Sequence, residues 1–433
     1  MSDSHYRIEN PADADPELLA LPGSEAETLQ LHVPDAPHRL GQEPRFSRFT
    51  QQPGDLDRPD PLERYDLLRP HATGLVRVLG DDARARGPWN PQLPAATLRE
   101  ALELMILTYK FDCRMMTMQR QGRLSFYLES RGEEAVAIGG GMAMRSTDLL
   151  IPAYRQQGLF LLRGMPLLQM MSQCIGNQQD NSKGRQMPVH YSWKKSHLYS
   201  ISSPVGTQFS QAVGAAMATA YSGEQQVTST WIGDGTAAQG DFHYGLNFAS
   251  VYRPPVLLNV VNNQWAISTH RNTATGGKTF AARAEAYGMP GIRVDGNDFL
   301  AVYAVTRWAA QRARSGGGAT LIELLTYRSG AHSSSDDPNC YRPGDEGRLW
   351  PGGDPIDRLS EHLIQLGQWS ETRQRELEAR FEKRVATAYK EAECIGSLSS
   401  GPYPPGETLV DDVYQNVPPH LQRQREQIRR KCG

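Results

Sequence analysis

At residues 231–236 the chain reads Trp231-Ile232-Gly233-Asp234-Gly235-Thr236, an apolar run ending in a carboxylate held between two glycines. A carboxylate is a hard oxygen donor of the kind Mg²⁺ takes, and flanking glycines let backbone approach a ligand closely. A helix is expected to open about six residues further on, near Asp241, offering free backbone N–H groups to a diphosphate. Alone, Gly-Asp-Gly means little, because most such triplets are simple turns. Yet about 29 residues after Asp234 the arrangement repeats: Val256-Leu257-Leu258-Asn259-Val260-Val261 leads into Asn262-Asn263-Gln264-Trp265. Asn263 can offer its side-chain carbonyl and Trp265 its backbone carbonyl, and octahedral Mg²⁺ takes a few such oxygens with a diphosphate and water. Two apolar runs that both end in oxygen donors are far more specific than either one.

Those donors must be positioned by the elements that carry them. The runs Val227 to Ile232, Val256 to Val261 and Thr320 to Leu325 are short and rich in β-branched or apolar residues, as buried parallel strands are, and Leu149-Leu150-Ile151 is a further short apolar run. Helix candidates lie between them, from Phe209 to Tyr221, Phe242 to Val251 and Phe299 to Ala313. A long helix is expected from Thr97, where Leu98, Ala101, Leu102, Met105, Ile106 and Tyr109 recur at helical spacing. This alternation predicts an α/β fold, a doubly wound and mainly parallel sheet with helices on both faces. Ligands bind such sheets at the carboxyl ends of the strands, where Asp234 and Asn263 fall.

The body is expected over residues 91–345. Residues 1–90 are rich in proline and charge and read as an extended arm ordered by packing, with disorder as the alternative. Two pieces of that arm, Arg45-Phe46-Ser47-Arg48-Phe49 and Leu75-Val76-Arg77-Val78-Leu79, have the composition to grip a surface. Residues 346–433 read as a helical region packing on the body or a partner, with Leu377, Phe381, Val385 and Ala388 on one helix face.

Composition narrows the function. The 433 residues include 46 basic and 48 acidic side chains, a formal net charge of -2. Such a balance argues against a phosphate-backbone binder, so nucleic acid is not an expected partner. Five dispersed cysteines without a C-x-x-C pair point to reduced thiols and no structural zinc. No apolar stretch is long enough to span a bilayer, and the acidic N-terminus lacks the marks of a targeting segment. The expected location is the cytoplasm.

Gly233-Asp234-Gly235 followed by Asn262-Asn263 resembles the thiamine-diphosphate motif of transketolase-type enzymes. The likeness extends over roughly residues 97 to 345, through Ser125-Phe126-Tyr127, Gly132-Glu133-Glu134-Ala135, Tyr154-Arg155, Ile201-Ser202-Ser203-Pro204, Thr207-Gln208, Ala266-Ile267-Ser268-Thr269 and His332-Ser333-Ser334-Ser335-Asp336-Asp337-Pro338. Together these resemble the α subunits of branched-chain 2-oxo acid dehydrogenases, more than those of pyruvate dehydrogenase. The resemblance implies that Asp234, Asn263 and the Trp265 carbonyl hold Mg²⁺, with Gly233, Gly235 and Thr236 along the cofactor. Tyr154, Arg155 and His332 would face the diphosphate or the reacting end, and His332 would be the catalytic donor. Ser203 and Val205 would line the aminopyrimidine and thiazolium cleft. Ser202, Pro204, Thr207 and Gln208 would form the structural potassium (K⁺) site of some relatives.

Two positions depart from the pattern. Val261 stands where some relatives carry an arginine reaching the diphosphate, and Ala331 replaces the first of two adjacent histidines. The resemblance further implies a β subunit that supplies the glutamate activating the aminopyrimidine, a role not given to Glu133 or Glu134. It implies an assembly of two α and two β chains, a 2-oxo acid substrate and a lipoyl-bearing transacylase as acyl acceptor. The chain alone would be inactive.

Plainer readings stand beside these. A lone loop histidine is usually solvated, and Ser333-Ser334-Ser335 is by default an exposed turn. Asp336, Asp337, Tyr341 and Arg342 are expected to order that loop. Gly276-Gly277-Lys278-Thr279 fails as a phosphate loop because Asn272 occupies the place of its first glycine. His190 and His197 are too far apart for a one-face metal pair. The competing functions are a dehydrogenase α subunit for pyruvate or another short 2-oxo acid, a non-catalytic paralogue, and a simple nucleotide-binding protein.

Overall fold

The computed structural model describes residues 32, 34–38 and 40–432. Among them seven strands follow in chain order: β1 Leu149–Ile151, β2 Thr228–Gly233, β3 Val256–Asn262, β4 Trp265–Ala266, β5 Thr269–His270, β6 Gly291–Asp295 and β7 Thr320–Leu325. Five form one sheet in the order β1-β2-β3-β7-β6, with every neighbouring pair parallel. β4 and β5 form a separate antiparallel hairpin.

The central strands are buried on both faces, and their period of two sorts the apolar side chains into two cores. Leu150, Trp231, Leu257, Val261, Ile322 and Leu324 face one core, which the helices Ala95–Arg120, Glu134–Ala143 and Phe299–Arg314 cover. Ile151, Ile232, Val256, Leu258, Val260 and Leu321 face the other, under the helices Thr207–Ser222 and Gly240–Tyr252. The sheet is therefore doubly wound, as the alternation of runs predicts. One strand is hidden from that pattern. In β6, Arg293 interrupts the apolar run, and it faces Glu323 of β7 with Nε 3.4 Å from Oε1.

Segment 40–90 packs on the body, and residues 1–31 of the expected arm lie outside the described residues. Phe46 and Phe49 meet Trp350 edge-on, with ring centroids 5.4 and 5.8 Å away. Val76 forms a parallel bridge to Val294 of β6. The N–H groups of Val78 and Leu79 donate to Asp298 Oδ2 at 2.8 and 2.6 Å. The other oxygen of Asp298 caps the helix Phe299–Arg314 by accepting from Ala301 N at 3.1 Å. Arg358 bridges Asp295 at 2.8 Å and Asp298 at 3.8 Å, so no carboxylate in this knot is buried without a cation.

At the other end of the chain, Leu377, Phe381, Val385 and Ala388 are buried along the helix Glu371–Ile395, which packs on Leu167–Ile175 and Ala95–Arg120. No helix among the described residues is long and apolar enough to cross a membrane.

Asp298→Ala removes a helix cap and strands two buried N–H donors at once. A lost cap costs about 1 kcal/mol and each orphaned donor about 1–3 kcal/mol. The variant should therefore lose about 3–7 kcal/mol of stability, read from the urea midpoint of its unfolding. A loss under about 1 kcal/mol would mean that something else holds this segment.

Candidate active site

Parallel pairing places Gly233 of β2 opposite Val261 of β3, so Asp234 and Asn263 emerge together from the carboxyl edge of the sheet. The turn is tied at its root by Asp234 N donating to Val261 O at 3.1 Å. Beyond Asp234 the chain makes a 3₁₀ turn, Gly235–Ala238, and then the helix Gly240–Tyr252. A side chain at Gly235 would run into Ala266, so this glycine serves the packing of the two loops on each other. Asp234 Oδ1 accepts from Gly235 N at 2.8 Å, whereas Oδ2 is buried without a protein partner. Burial, with a smaller push from the Glu133 charge, raises this carboxyl to about 7. A buried carboxylate oxygen without a partner is costly and calls for a cation. The residues present fit a divalent metal.

Asn263 is buried beside it. Its Nδ2 donates to Glu133 Oε1 at 2.6 Å, and its Oδ1 accepts from Trp265 N at 3.2 Å. The Trp265 carbonyl accepts from Arg328 Nη1 at 3.0 Å, which leaves one lone pair for a metal. Val261 is a core residue, 2% exposed.

Arg155 ties the next group together. Its Nη1 donates to Glu129 O at 2.7 Å; its Nη2 donates to His332 O at 2.6 Å and meets His332 Nδ1 at 3.0 Å. A guanidinium only donates, so Nδ1 must accept and the histidine proton sits on Nε2. Burial first, then the Arg155 and Arg328 charges, push the His332 pKa down to about 3. His332 is thus a neutral imidazole with one N–H to give. Tyr154 lies edge-on to it, with centroids 6.1 Å apart. The loop is ordered by Asp336, whose Oδ2 accepts from His332 N at 2.7 Å and from the Tyr341 hydroxyl at 2.6 Å. Glu129 is delivered to Arg155 by a turn wound on buried Asp112, which accepts from the Tyr127 hydroxyl and from Ser130 N and Oγ. Tyr127 is thereby a framework residue.

The second group surrounds the start of the helix Thr207–Ser222. Thr207 Oγ1 lies 2.8 Å from Ser202 Oγ and 3.1 Å from Pro204 O. Gln208 Nε2 donates to Trp231 O at 3.1 Å, and its Oε1 is buried without a partner. Three oxygens are thus gathered at this turn, and the next residue in the chain, Gln208, holds a buried oxygen without a partner, a donor set of the kind a monovalent cation takes. Ser203 Oγ lies 2.9 Å from Nε2 of buried His190, whose Nδ1 is 3.0 Å from Pro188 O. Val205 is exposed. This turn abuts the first group, for a Cβ at Gly206 would lie 3.6 Å from Thr236 Cγ2.

Sequence reasoning overlooked Arg328 and His190 as members of the site and left Glu133 without a role. Arg328 is 1% exposed and also donates to Ile267 O and the Tyr341 hydroxyl. The available signal was its position four residues before His332, on the strand exit of β7.

A family model described as the dehydrogenase E1 component matches residues 102–399. The chain belongs to that family. Over 411 residues it is 48% identical to the 2-oxoisovalerate dehydrogenase subunit alpha of Pseudomonas aeruginosa, covering 94% of this chain and 99% of that protein. It is 38% identical over 374 residues to the human mitochondrial 2-oxoisovalerate dehydrogenase subunit alpha, with 85% and 83% covered. Against the 3-methyl-2-oxobutanoate dehydrogenase subunit alpha of Mycobacterium tuberculosis it is 39% identical over 356 residues, covering 82% and 93%. Within the family, then, its likeness is to α subunits of the branched-chain type.

His332 stays neutral in the fold down to about pH 3, whereas an unfolded histidine takes a proton below 6.5. Between those values the unfolded chain binds more protons, so stability falls as pH falls. His332→Gln should remove this part of the acid loss. The stability difference between wild type and variant should shift in the variant's favour as pH drops from 6.5 towards 4; a constant difference would mean that His332 is charged in the fold.

Proposed function

We propose that this chain is the α subunit of a branched-chain 2-oxo acid dehydrogenase, the component that decarboxylates its substrate oxidatively and passes the acyl group to the lipoyl group of a transacylase. The observation that carries this reading is the pair Asp234 and Asn263 at adjacent strand ends, with a buried Asp234 oxygen that lacks any protein partner. The family implies thiamine diphosphate, which when bound supplies a thiazolium as electron sink for decarboxylation.

The chain's own residues divide the remaining work. Asp234, Asn263 and the Trp265 carbonyl would hold Mg²⁺, which needs hard oxygens. Gly233, Gly235 and Thr236 line the turn beside that metal. Arg155 supplies a planar, permanently charged donor for the diphosphate, with Tyr154 beside it. Ser203 and Val205 flank the cleft for the rings. Ser202, Pro204, Thr207 and Gln208 would hold K⁺. His332 offers its Nε2 proton to the 2-oxo acid, and it does so uncharged at neutral pH, so the proton is not locked in an ion pair.

The assembly is read as two α and two β chains in the cytoplasm. Exposed Tyr221, Tyr244, Phe248 and Tyr252 on the helices that frame the site turns support a covering partner chain.

The test is calorimetric titration of thiamine diphosphate with Mg²⁺ into the chain co-expressed with its β subunit. Saturable, Mg²⁺-dependent binding is expected, lost in Asp234→Ala. With the complex active, 3-methyl-2-oxobutanoate should exceed pyruvate in kcat/KM by at least about tenfold, the scale set by added methyl groups in an apolar pocket. His332→Ala should lower kcat by about 10²–10⁴. A folded complex that binds no cofactor would make the chain a non-catalytic paralogue, and a reversed preference would make it a pyruvate-type subunit.

A further inference from the structure

Glu133 is buried at 1% exposure and has no part in the scheme above. Its simplest structural explanation would be a helix cap, since it occupies the N-cap position of Glu134–Ala143, but its side chain makes no capping hydrogen bond. The backbone there is tied by its neighbour, as Glu134 Oε2 accepts from Gly132 N at 2.9 Å. The Glu133 carboxyl instead crosses to the far loop. Its Oε1 accepts from Asn263 Nδ2 at 2.6 Å and lies 4.0 Å from Arg155 Nε.

We propose that Glu133 is a positioning residue that fixes the orientation of the Asn263 amide and thereby sets the divalent-cation affinity of the site. The inference rests on the reading of Asp234 and Asn263 as a metal pair. An asparagine amide is nearly symmetric in shape, with a donor on one side and an acceptor on the other. A 180° flip about its last bond would turn an NH₂ group towards the metal and abolish the ligand. Oε1 of Glu133 accepts, so the group facing it is the NH₂ and the carbonyl oxygen is turned away from it. A second contact, Trp265 N to Oδ1, favours the same orientation, but at 3.2 Å it is the longer of the two. The shorter bond, made to a carboxyl group, dominates.

Glu133 also sits next to Arg155, so a single buried side chain joins the proposed metal ligand to the proposed diphosphate ligand. Partners that orient a metal ligand usually hold about 10–100-fold in metal affinity.

The experiment follows Mg²⁺-dependent binding of thiamine diphosphate to the assembled complex by calorimetry, without substrate. Glu133→Ala should raise the Mg²⁺ concentration for half-saturation by about 10–100-fold. Glu133→Gln keeps the Oε1 acceptor while discarding the charge, and it should remain within about threefold of wild type, since the orienting bond survives. Thermal unfolding of each ligand-free complex reports whether a variant folds. An unchanged half-saturation in Glu133→Ala would overturn the proposal. So would Glu133→Gln binding as weakly as a folded Glu133→Ala, because charge and not orientation would then be the cause. If the wild-type complex binds the cofactor without needing Mg²⁺, the metal reading of Asp234 and Asn263 falls first, which separates that failure from the others.

Discussion

The pairing register of β2 with β3 decides whether Asp234 and Asn263 meet, and nothing in the apolar pattern of those strands fixes it. Both faces of both strands are buried, so a slip would still leave apolar side chains against apolar cores. The register is held by polar side chains inside the sheet. Thr230 Oγ1 donates to Ile151 O at 2.9 Å, joining β2 to β1. Asn259 Nδ2 reaches Ser229 Oγ at 3.0 Å and Thr230 O at 2.7 Å, joining β3 to β2. Asn262 Nδ2 donates to Glu323 Oε1 at 2.7 Å, joining β3 to β7. Each would be orphaned by a slip, at about 1–3 kcal/mol apiece, which is enough to specify one alignment among several of similar burial.

From that alignment follows a site in which buried charges of both signs are interleaved. Asp234 and Glu133 lie among Arg155 and Arg328, and each environment leaves its mark. Burial raises both carboxyls. Burial, then the Arg155 charge, lowers Arg328 to about 10, which still leaves it charged at neutral pH. A protein that sought stability alone would replace such groups with apolar ones. A ligand made of a divalent cation and a diphosphate answers both signs at once, the cation meeting the orphaned Asp234 oxygen and the anion meeting the guanidiniums. Burial, reinforced by the same guanidiniums, keeps His332 neutral, so the charge that would bind phosphate also helps set the protonation state of the donor next to it.

What could be read in the sequence follows how local each signal is. β1, β2, β3 and β7 are short runs rich in β-branched and apolar residues, and Asp234 and Asn263 stand at the ends of two of them, so the frame and its oxygen donors are legible. β6 is not, because Arg293 breaks its run and only the neighbouring strand supplies the compensating Glu323. Glu133 and Arg328 could not be placed for a related reason. Their meaning lies in partners 130 and 63 residues away, Asn263 and Trp265, and no local spacing encodes those contacts. Tyr127 sits in one of the segments that carry the family likeness, yet its hydroxyl is spent on Asp112. Val261 stands where some relatives carry an arginine, and it belongs to the core. The buried guanidinium beside the Asn263 loop is supplied by Arg328, three residues beyond the end of β7.

The arm belongs to the same physical unit as the site. Phe46 lies edge-on to Trp350 at 5.4 Å and to Tyr327 at 6.2 Å, and Tyr327 and Trp350 face each other at 5.4 Å. Trp265 Nε1 then donates to the Tyr327 hydroxyl at 3.2 Å. A continuous aromatic path therefore runs from the arm to the residue whose carbonyl holds Arg328. Tyr327 immediately precedes Arg328 and stands five residues before His332, so the arm packs directly on the root of the loop that carries both. Loops are ordinarily the mobile part of such a fold, and a donor that must stay within hydrogen-bond reach of its substrate cannot drift with one. Phe46 covers that root through Tyr327, and with Phe49 it packs on Trp350, which is a physical reason for a proline-rich segment to be tied down along the body.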